Sequence, residues 1–200
     1  MADFIRVFIP LFFIVFFLTA FLGKSAMVAR KTGKNPNVLP KDDSAYSLIG
    51  KYFILNLLLL FLYTILFLLF PEIISETFKI NILDYFPFKL IGILLMFISW
   101  IWVLTAQHHM KNSWRIGIDK NSPTELVTSG LFKYSRNPVF LGMMISLTGL
   151  LFLLPNFISL VFLLVGTLLM QIQIRLEEEF LIKQHGDVYS DYKNRVRRFI

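Results

Sequence analysis

The sequence contains no cysteine, and charged residues make up only 16% of its 200 positions. The absence of cysteine excludes a disulfide framework and thiolate metal ligands. Soluble domains usually carry about 25% charged residues, so the low charge weighs against a water-soluble protein. The sequence also lacks GxGxxG, GxxxxGK[ST] and GxSxG. The common signatures of soluble dinucleotide-binding, phosphate-binding and hydrolase folds are therefore absent.

What the sequence does contain is apolar. Hydrophobic residues make up 56%, Phe occurs 22 times, and the mean hydropathy is +0.66. A chain of this length cannot bury so much apolar surface within itself, so the composition predicts an integral membrane protein. A crossing helix needs about 20 mostly apolar residues. The blocks that meet or nearly meet this length are residues 4–22, 52–70, 88–104 and 139–174.

The last block is too long for one crossing, and Pro155 and Asn156 interrupt it near its middle. Proline disrupts a helix and asparagine favours turns, so the block predicts a tight helical hairpin. We therefore expect an all-α fold with about five transmembrane helices. The alternative is four spans with 139–174 re-entrant. Asp43 or Ser44 is predicted to cap the second helix.

Basic residues indicate the orientation. The net charge is +7, and most of the 20 Lys and Arg residues lie in 23–47, 105–137 and the segment after 174, whereas 71–87 holds only Lys79. The positive-inside rule then predicts an outside N-terminus, a retained first span and a cytoplasmic C-terminus. These basic stretches are expected to meet membrane lipids rather than nucleic acid. Residues 1–104 form an N-terminal transmembrane part, and 105–200 form the half with candidate catalytic residues.

Arg136 and Pro138 mark one candidate site. Pro138 suits the first turn of a helix, whose free amides carry partial positive charge. Arg136, two residues earlier, can bind a carboxylate or phosphate with two parallel hydrogen bonds. This corner predicts an anion site at the cytoplasmic headgroup level. The alternative is an interfacial arginine that extends its charge to the membrane surface.

Three consecutive acids, Glu177, Glu178 and Glu179, follow the last apolar block. Successive helical residues point about 100° apart, so one of the acids must face the bundle or its mouth. A carboxylate at the edge of the hydrocarbon is a functional candidate. The alternative is a solvated helix extension, with Glu179 paired to Arg175 or Lys183.

The tail and the histidines give weaker signals. Gly186 predicts a helix end, and Tyr189 and Tyr192 share one face of a following amphipathic helix that could anchor at the membrane interface. His108 and His109 are adjacent, so they do not share a helical face as a metal pair would. We expect no metal site.

Together these segments resemble the integral-membrane methyltransferases typified by isoprenylcysteine carboxyl methyltransferase and the phospholipid methyltransferases. The segments that carry the resemblance are LVTSGLF at 126–132, RNPVFLG at 136–142, EEEFL at 177–181 and GDVYSDY at 186–192. They occur in the family's order, at the family's distances around the hairpin. The resemblance covers roughly residues 107–198.

The resemblance implies S-adenosylmethionine-dependent methyl transfer to a lipid or other membrane-partitioned acceptor at the cytoplasmic face. Arg175 and Glu178 are the expected catalytic residues. The expected cofactor-binding residues are Thr124, Glu125, Leu126, Val127, Phe132, Arg136, Asn137, Pro138, Val139, Phe140 and Glu177.

Several positions depart from the family pattern. Asn137 replaces the usual histidine, and Phe132 and Phe140 stand where tyrosine is common. The carboxyl methyltransferases have an arginine where this chain has Gln173, and Arg175 is the expected local substitute. These departures weigh against a prenylcysteine carboxylate as the acceptor more than against the donor. The competing functions are a membrane reductase of the sterol-reductase type that uses NADPH, and a non-catalytic lipid-binding protein or membrane scaffold.

Overall fold

A computed structural model describes residues 1–40, 42–117 and 125–200. Its main elements are helices, and those long and apolar enough to cross a membrane span Ala2–Thr32, Ala45–Leu69, Phe86–Ser113 and Phe157–His185, with the shorter apolar helix Pro138–Leu153 beside them. At about 1.5 Å per residue, a helix of 25 residues reaches beyond the hydrocarbon core of about 30 Å. The fold is that of an all-α integral membrane protein.

The α-helices, in chain order, begin and end at the following residues: α1 Ala2–Phe17, α2 Lys24–Thr32, α3 Ala45–Leu69, α4 Pro71–Glu76, α5 Phe86–Met110, α6 Pro138–Leu153, α7 Phe157–His185 and α8 Asp187–Arg195. A π-helical segment, Leu18–Gly23, joins α1 to α2, and short 3-10 turns cover Asn81–Leu83, Lys111–Ser113 and Gly130–Lys133.

The first span is longer than its apolar block. The helix passes residue 22 and continues to Thr32, because 24–32 is rich in alanine, methionine, lysine and arginine, which favour helix. It ends at Gly33, whose φ of 68° gives the left-handed cap that glycine adopts at little cost. The first loop is therefore shorter than expected.

Side chains of α5 hold the π-helical segment. Gln107 donates to the Ala20 carbonyl at 2.6 Å, and Trp100 donates to the Thr19 hydroxyl at 2.9 Å. Irregular backbone inside a membrane needs such partners, because no water is available there. The α5 side chains therefore fix where the first helix changes its winding.

Helices α5 and α6 pack closely through glycine. A Cβ placed on Gly92 would lie 2.9 Å from the Gly149 carbonyl oxygen, and one on Gly149 would lie 2.6 Å from the Met96 side chain. Small residues let helix backbones approach in membranes, where packing replaces the hydrophobic effect as the driving force. This contact brings the first part of α5 against the last part of α6, so the two helices pack antiparallel.

The predicted hairpin is present between α6 and α7. Asn156 caps α7 by accepting from the Ser159 amide at 2.9 Å, and it also accepts from the Tyr63 hydroxyl at 2.9 Å. Its side chain donates to the Ile74 carbonyl at 2.9 Å. The segment 71–87 therefore lies beside the hairpin turn at one end of the bundle.

The three basic stretches share the opposite end. Val38 donates to the Ile116 carbonyl and Ile116 donates to the Pro36 carbonyl, both at 2.9 Å. The Tyr46 hydroxyl donates to the Leu176 carbonyl at 3.3 Å. This placement is the one that the charge pattern predicted for the loops relative to one another.

Two predicted helix boundaries are confirmed. Ser44 caps α3 by accepting from the Ser47 amide at 3.3 Å. Helix α7 passes residue 174 and ends at Gly186, whose φ is 55°. The acids at 177–179 therefore lie on a continuous helix that extends beyond the apolar part of the last span.

Candidate functional site at the basic end of the bundle

The corner before α6 is built around Asn137 and Pro138. Pro138 is the first residue of α6, as predicted, and both residues are buried. The Asn137 amide N–H donates to the Ser135 hydroxyl at 3.2 Å, and its side chain donates to the Arg198 carbonyl at 3.2 Å. Local turn geometry and a distant segment of the chain thus fix the corner together.

Glu178 joins this corner to α7. Its carboxylate lies 3.0 Å from Nη2 of Arg136 and 2.7 Å from Nη2 of Arg198, and Nε of Arg198 donates to it at 3.2 Å. Glu178 is only 5% exposed. A buried carboxylate is costly unless cations and hydrogen bonds compensate the lost hydration, and the two guanidinium groups do so here.

The C-terminal segment lies along the corner. The Arg136 amide donates to the Arg197 carbonyl at 3.0 Å, and its guanidinium donates to the Lys193 carbonyl at 2.9 Å. The Ser135 hydroxyl donates to the Arg198 carbonyl at 3.4 Å. No sequence pattern indicated a role for Ser135 or Arg198. A buried carboxylate often needs more than one cation, and this requirement is the only indication of Arg198 that the sequence contains.

Tyr189 and Tyr192 of α8 face the protein. Their ring centroids are 6.0 Å apart, both are buried, and the Tyr192 hydroxyl donates to the Phe132 carbonyl at 2.7 Å. Burial raises the pKa of Tyr192 to about 12. Burial, with the nearby Glu178 carboxylate, also raises the pKa of Tyr189. The shared face is confirmed, but it docks onto the site instead of anchoring α8 in lipid.

Glu177 and Arg175 have different partners from Glu178. Nε2 of Gln173 donates to the Glu177 carboxylate at 2.9 Å. Arg175 is exposed, and its guanidinium donates to the carbonyl and the side-chain oxygen of Gln171, at 2.8 and 3.0 Å. Gln173, which stands where the carboxyl methyltransferases have an arginine, therefore faces Glu177. Arg175 does not join the cluster around Glu178.

An open cavity of about 430 Å³ lies at the end of α5, and the turn Gly130–Lys133 connects its loop wall to the corner. Residues 109–113 at the end of α5 form one wall, and residues 125–129 form the other. Small-molecule sites usually have volumes of about 300–1,000 Å³ and combine apolar walls with a few polar groups. Here Met110, Leu126 and Val127 supply apolar surface, while Glu125 and Asn112 supply polar groups.

The predicted cofactor-binding residues fall into two neighbouring groups. Glu125, Leu126 and Val127 line the cavity, whereas Arg136, Asn137 and Pro138 form the corner. Phe132 is buried in the turn Gly130–Lys133 that connects the groups. Val139 and Phe140 pack against the hydrophobic core, and Thr124 lies outside the described residues.

The structure thus brings the Arg136 corner and the acidic segment of α7 together, as the sequence predicted. Across residues 1–40, 42–117 and 125–200, no group of three or more His, Asp or Glu side chains could hold a metal ion. The cavity walls and the corner contain carboxylates, guanidinium groups, amides and an aromatic ring. Such groups suit an organic ligand with charged and apolar parts.

Known proteins share these segments. The chain is similar to the protein-S-isoprenylcysteine O-methyltransferase of Schizosaccharomyces pombe, with 37% identity over 78 residues, which are 38% of this chain and 33% of the relative. It is also similar to the protein of the same name from Saccharomyces cerevisiae, with 31% identity over 135 residues, which are 62% of this chain and 56% of the relative. The aligned region spans about a third to just over half of the length of these curated relatives.

A family model described as phospholipid methyltransferase matches residues 88–188. This match begins in α5 and ends in α8, so it includes both walls of the cavity, the corner at Arg136 and the acidic segment of α7. The chain therefore belongs to the phospholipid methyltransferase family, which the sequence motifs indicated.

Proposed function

We propose that this protein is a membrane methyltransferase that transfers a methyl group from S-adenosylmethionine to a lipidic acceptor. The observation that carries the proposal is the convergence of the family's segments. The corner, α7 and the tail meet at Glu178, and the turn Gly130–Lys133 connects the corner to the loop wall of a cavity of about 430 Å³. Residue 125 and the corner both lie within the family match.

The chemistry of the donor fits the residues present. S-adenosylmethionine, when bound, supplies a methyl group on a positively charged sulfonium. Glu125 lines the cavity and supplies negative charge, while Leu126, Val127 and Phe132 supply apolar and aromatic surface. Glu177, whose carboxylate accepts from Gln173, is the acid of α7 that we assign to the donor. Cations are held by carboxylates and aromatic faces. Arg136 and the first amides of α6, at Val139 and Phe140, are the groups of this chain that suit a carboxylate.

The residues of the chain would mainly align the reactants and exclude water. Glu178 positions Arg136, because its carboxylate lies 3.0 Å from that guanidinium and is buried with it. Arg175 is the residue that we assign to the acceptor. It is exposed on α7, so its guanidinium can exchange the Gln171 oxygens for a polar group of an incoming molecule.

We propose a lipid or another membrane-partitioned molecule as the acceptor class. The helices beside the site expose apolar side chains to the bilayer, as Leu164 and Leu168 do on α7. A lipidic acceptor can therefore reach the basic end of the bundle from within the membrane. The positive-inside rule assigns this end to the cytoplasm, with the N-terminus outside. A soluble donor then enters from the cytoplasm.

A binding measurement tests the donor. Purified protein in detergent is titrated with S-adenosylmethionine by calorimetry, and Glu177→Gln is compared with Glu179→Gln. Glu177 is partly buried and bonded to Gln173, whereas Glu179 is exposed on the same helix. We expect saturable binding that is weakened by Glu177→Gln and unchanged by Glu179→Gln. Folded protein that binds no S-adenosylmethionine would refute the donor.

A transfer assay tests the acceptor. Protein, S-adenosylmethionine labelled at the methyl group and total membrane lipid are incubated together, and the labelled product is extracted and identified. We expect label in the organic phase. If the donor binds but no lipid becomes labelled, the lipidic acceptor is wrong and a non-catalytic lipid-binding function is favoured.

A further inference from the structure

His109 lies where α5 meets the cavity. Its position next to His108 indicated no role, because two adjacent histidines do not form a metal site on a helix. In the structure the two differ: His108 is exposed, while His109 is partly buried and lines the cavity. Their ring centroids are 6.2 Å apart. The side chain of His109 therefore faces a different environment from that of its neighbour.

His109 accepts a hydrogen bond from the turn that follows the opposite wall. The Leu131 amide N–H donates to Nδ1 of His109 over 3.3 Å. A ring nitrogen that accepts a hydrogen bond carries no proton, so this contact requires the tautomer whose proton is on Nε2. The contact is long-range in sequence and connects the end of α5 to the turn Gly130–Lys133.

The same ring lies against the backbone of Gly130. A Cβ placed on Gly130 would be 2.5 Å from Cγ and Nδ1 of His109, a distance that side chains do not tolerate. Gly130 also has a φ of 63°, which favours glycine. The absence of a side chain at this position is what allows the imidazole to reach the Leu131 amide.

These contacts fix the spacing between the two walls of the cavity. Residues 125–129 lead directly into Gly130 and Leu131. The contacts of His109 with these two residues therefore also restrict the position of the loop. On the facing wall Lys111 has a φ of 49° and a ψ of −118°, an unfavourable conformation for a residue with a side chain. The turn after the loop wall therefore has a glycine with positive φ against the His109 ring, and the helix wall has a lysine with positive φ.

We propose that His109 is a positioning residue of the donor site, and that its acceptor nitrogen Nδ1 sets the loop wall at 125–129 for ligand binding. The inference rests on the proposed function for the identity of the ligand. It does not rest on that function for the contact between His109 and the loop, which can be measured without any ligand. A merely space-filling ring would not need its Nδ1 acceptor.

The decisive variants differ in whether they present a hydrogen-bond acceptor at the position of Nδ1. His109→Asn places a carbonyl oxygen at the same number of bonds from Cβ as Nδ1, whereas His109→Leu has a similar shape without an acceptor. His109→Gln is polar, but its amide lies one bond farther out, so it tests the position of the acceptor if His109→Leu does not fold. His108→Leu is the matched control, because His108 is exposed.

Two readouts are compared in detergent. The first is hydrogen–deuterium exchange of peptides from 125–135 without ligand, and the second is calorimetric affinity for S-adenosylmethionine. Loss of one hydrogen bond of about 1 kcal/mol corresponds to a change of roughly fivefold. We expect His109→Leu and His109→Gln to accelerate exchange and weaken affinity by about that factor or more. His109→Asn should restore most of both, and His108→Leu should alter neither.

Unchanged exchange in His109→Leu and His109→Gln, or failure of His109→Asn to restore it, would overturn the positioning role. Wild-type protein that binds no S-adenosylmethionine would instead overturn the proposed function, and the exchange experiment would still decide whether His109 positions the loop. The two failures are therefore distinguishable.

Discussion

Arg136 and Glu178 form an ion pair of 3.0 Å in which both side chains are nearly excluded from solvent, at 8% and 6% exposure. The pair connects the segment before α6 to the end of α7. Because Arg198 binds the same carboxylate while 31% exposed, the two arginines are not equivalent. The difference in exposure allows their contributions to be separated.

The first prediction concerns these two arginines. Arg136→Met leaves Glu178 buried with a single, partly exposed cation, and we expect a loss of about 3 kcal/mol in the free energy of unfolding. Arg198→Met keeps the buried pair, and the expected loss is about 1 kcal/mol. Equilibrium unfolding in detergent measures both. Arg197→Met is the control, because this neighbouring side chain is exposed. Equal losses for Arg136→Met and Arg198→Met would contradict the ranking.

The second prediction concerns alkaline pH. Burial raises the pKa of Tyr192 from 10.0 to about 12, so above pH 10 the unfolded chain releases the phenolic proton while the folded chain retains it. The folded state should therefore lose stability as the pH rises from 10 toward 12. Tyr192→Phe should reduce this slope, measured as melting temperature against pH. Tyr134→Phe is the control, because Tyr134 is 68% exposed. A slope that Tyr192→Phe leaves unchanged would contradict the assignment.

The third prediction concerns Arg175. If its guanidinium meets the acceptor, Arg175→Met should lower the rate of methyl transfer by about tenfold and leave the affinity for S-adenosylmethionine unchanged. Its exposure means that the melting temperature should also stay the same. Lys183→Met, which removes an exposed cation farther along α7, is the matched control. An equal rate in both variants would remove Arg175 from the mechanism.

The fourth prediction concerns the backbone of Lys111. Its φ of 49° is unfavourable for any residue with a Cβ. Lys111→Gly should therefore raise the free energy of unfolding by about 1 kcal/mol, whereas Lys111→Ala removes the same charge and keeps the strain. Thermal unfolding of the two variants side by side measures the difference. No advantage of Lys111→Gly over Lys111→Ala would show that the conformation stores no strain.

Local signals in the sequence predicted much of the architecture. Pro138 begins α6, Asn156 turns the hairpin, Ser44 caps α3 and Gly186 ends α7, each for a reason that involves only a few neighbouring residues. Helix extents were less accurate. The first helix continues to Thr32 because residues that favour helix follow the apolar block. The end of an apolar block indicates where a helix leaves the membrane, but it does not indicate where the helix ends.

Contacts between distant segments were harder to predict. The sequence indicated that the Arg136 corner and the acids of α7 meet, but it did not show which acid pairs with which cation. Glu178 binds Arg136 and Arg198 because its position on α7 directs its side chain toward the corner and the tail, whereas the side chain of Glu177 is directed toward Gln173. His109 was missed for the same reason: its partner is a backbone amide of another segment, and side-chain spacing carries no information about such a partner.

The contacts between the tail and the corner have a consequence for biosynthesis. The tail is synthesised after α6 and α7, and without it the Asn137 side chain has no Arg198 carbonyl and Glu178 has no second guanidinium. The corner is therefore completed only after both helices of the hairpin have been made. Molecules truncated after α7 would keep all the long apolar helices of the described residues and still have an incomplete corner.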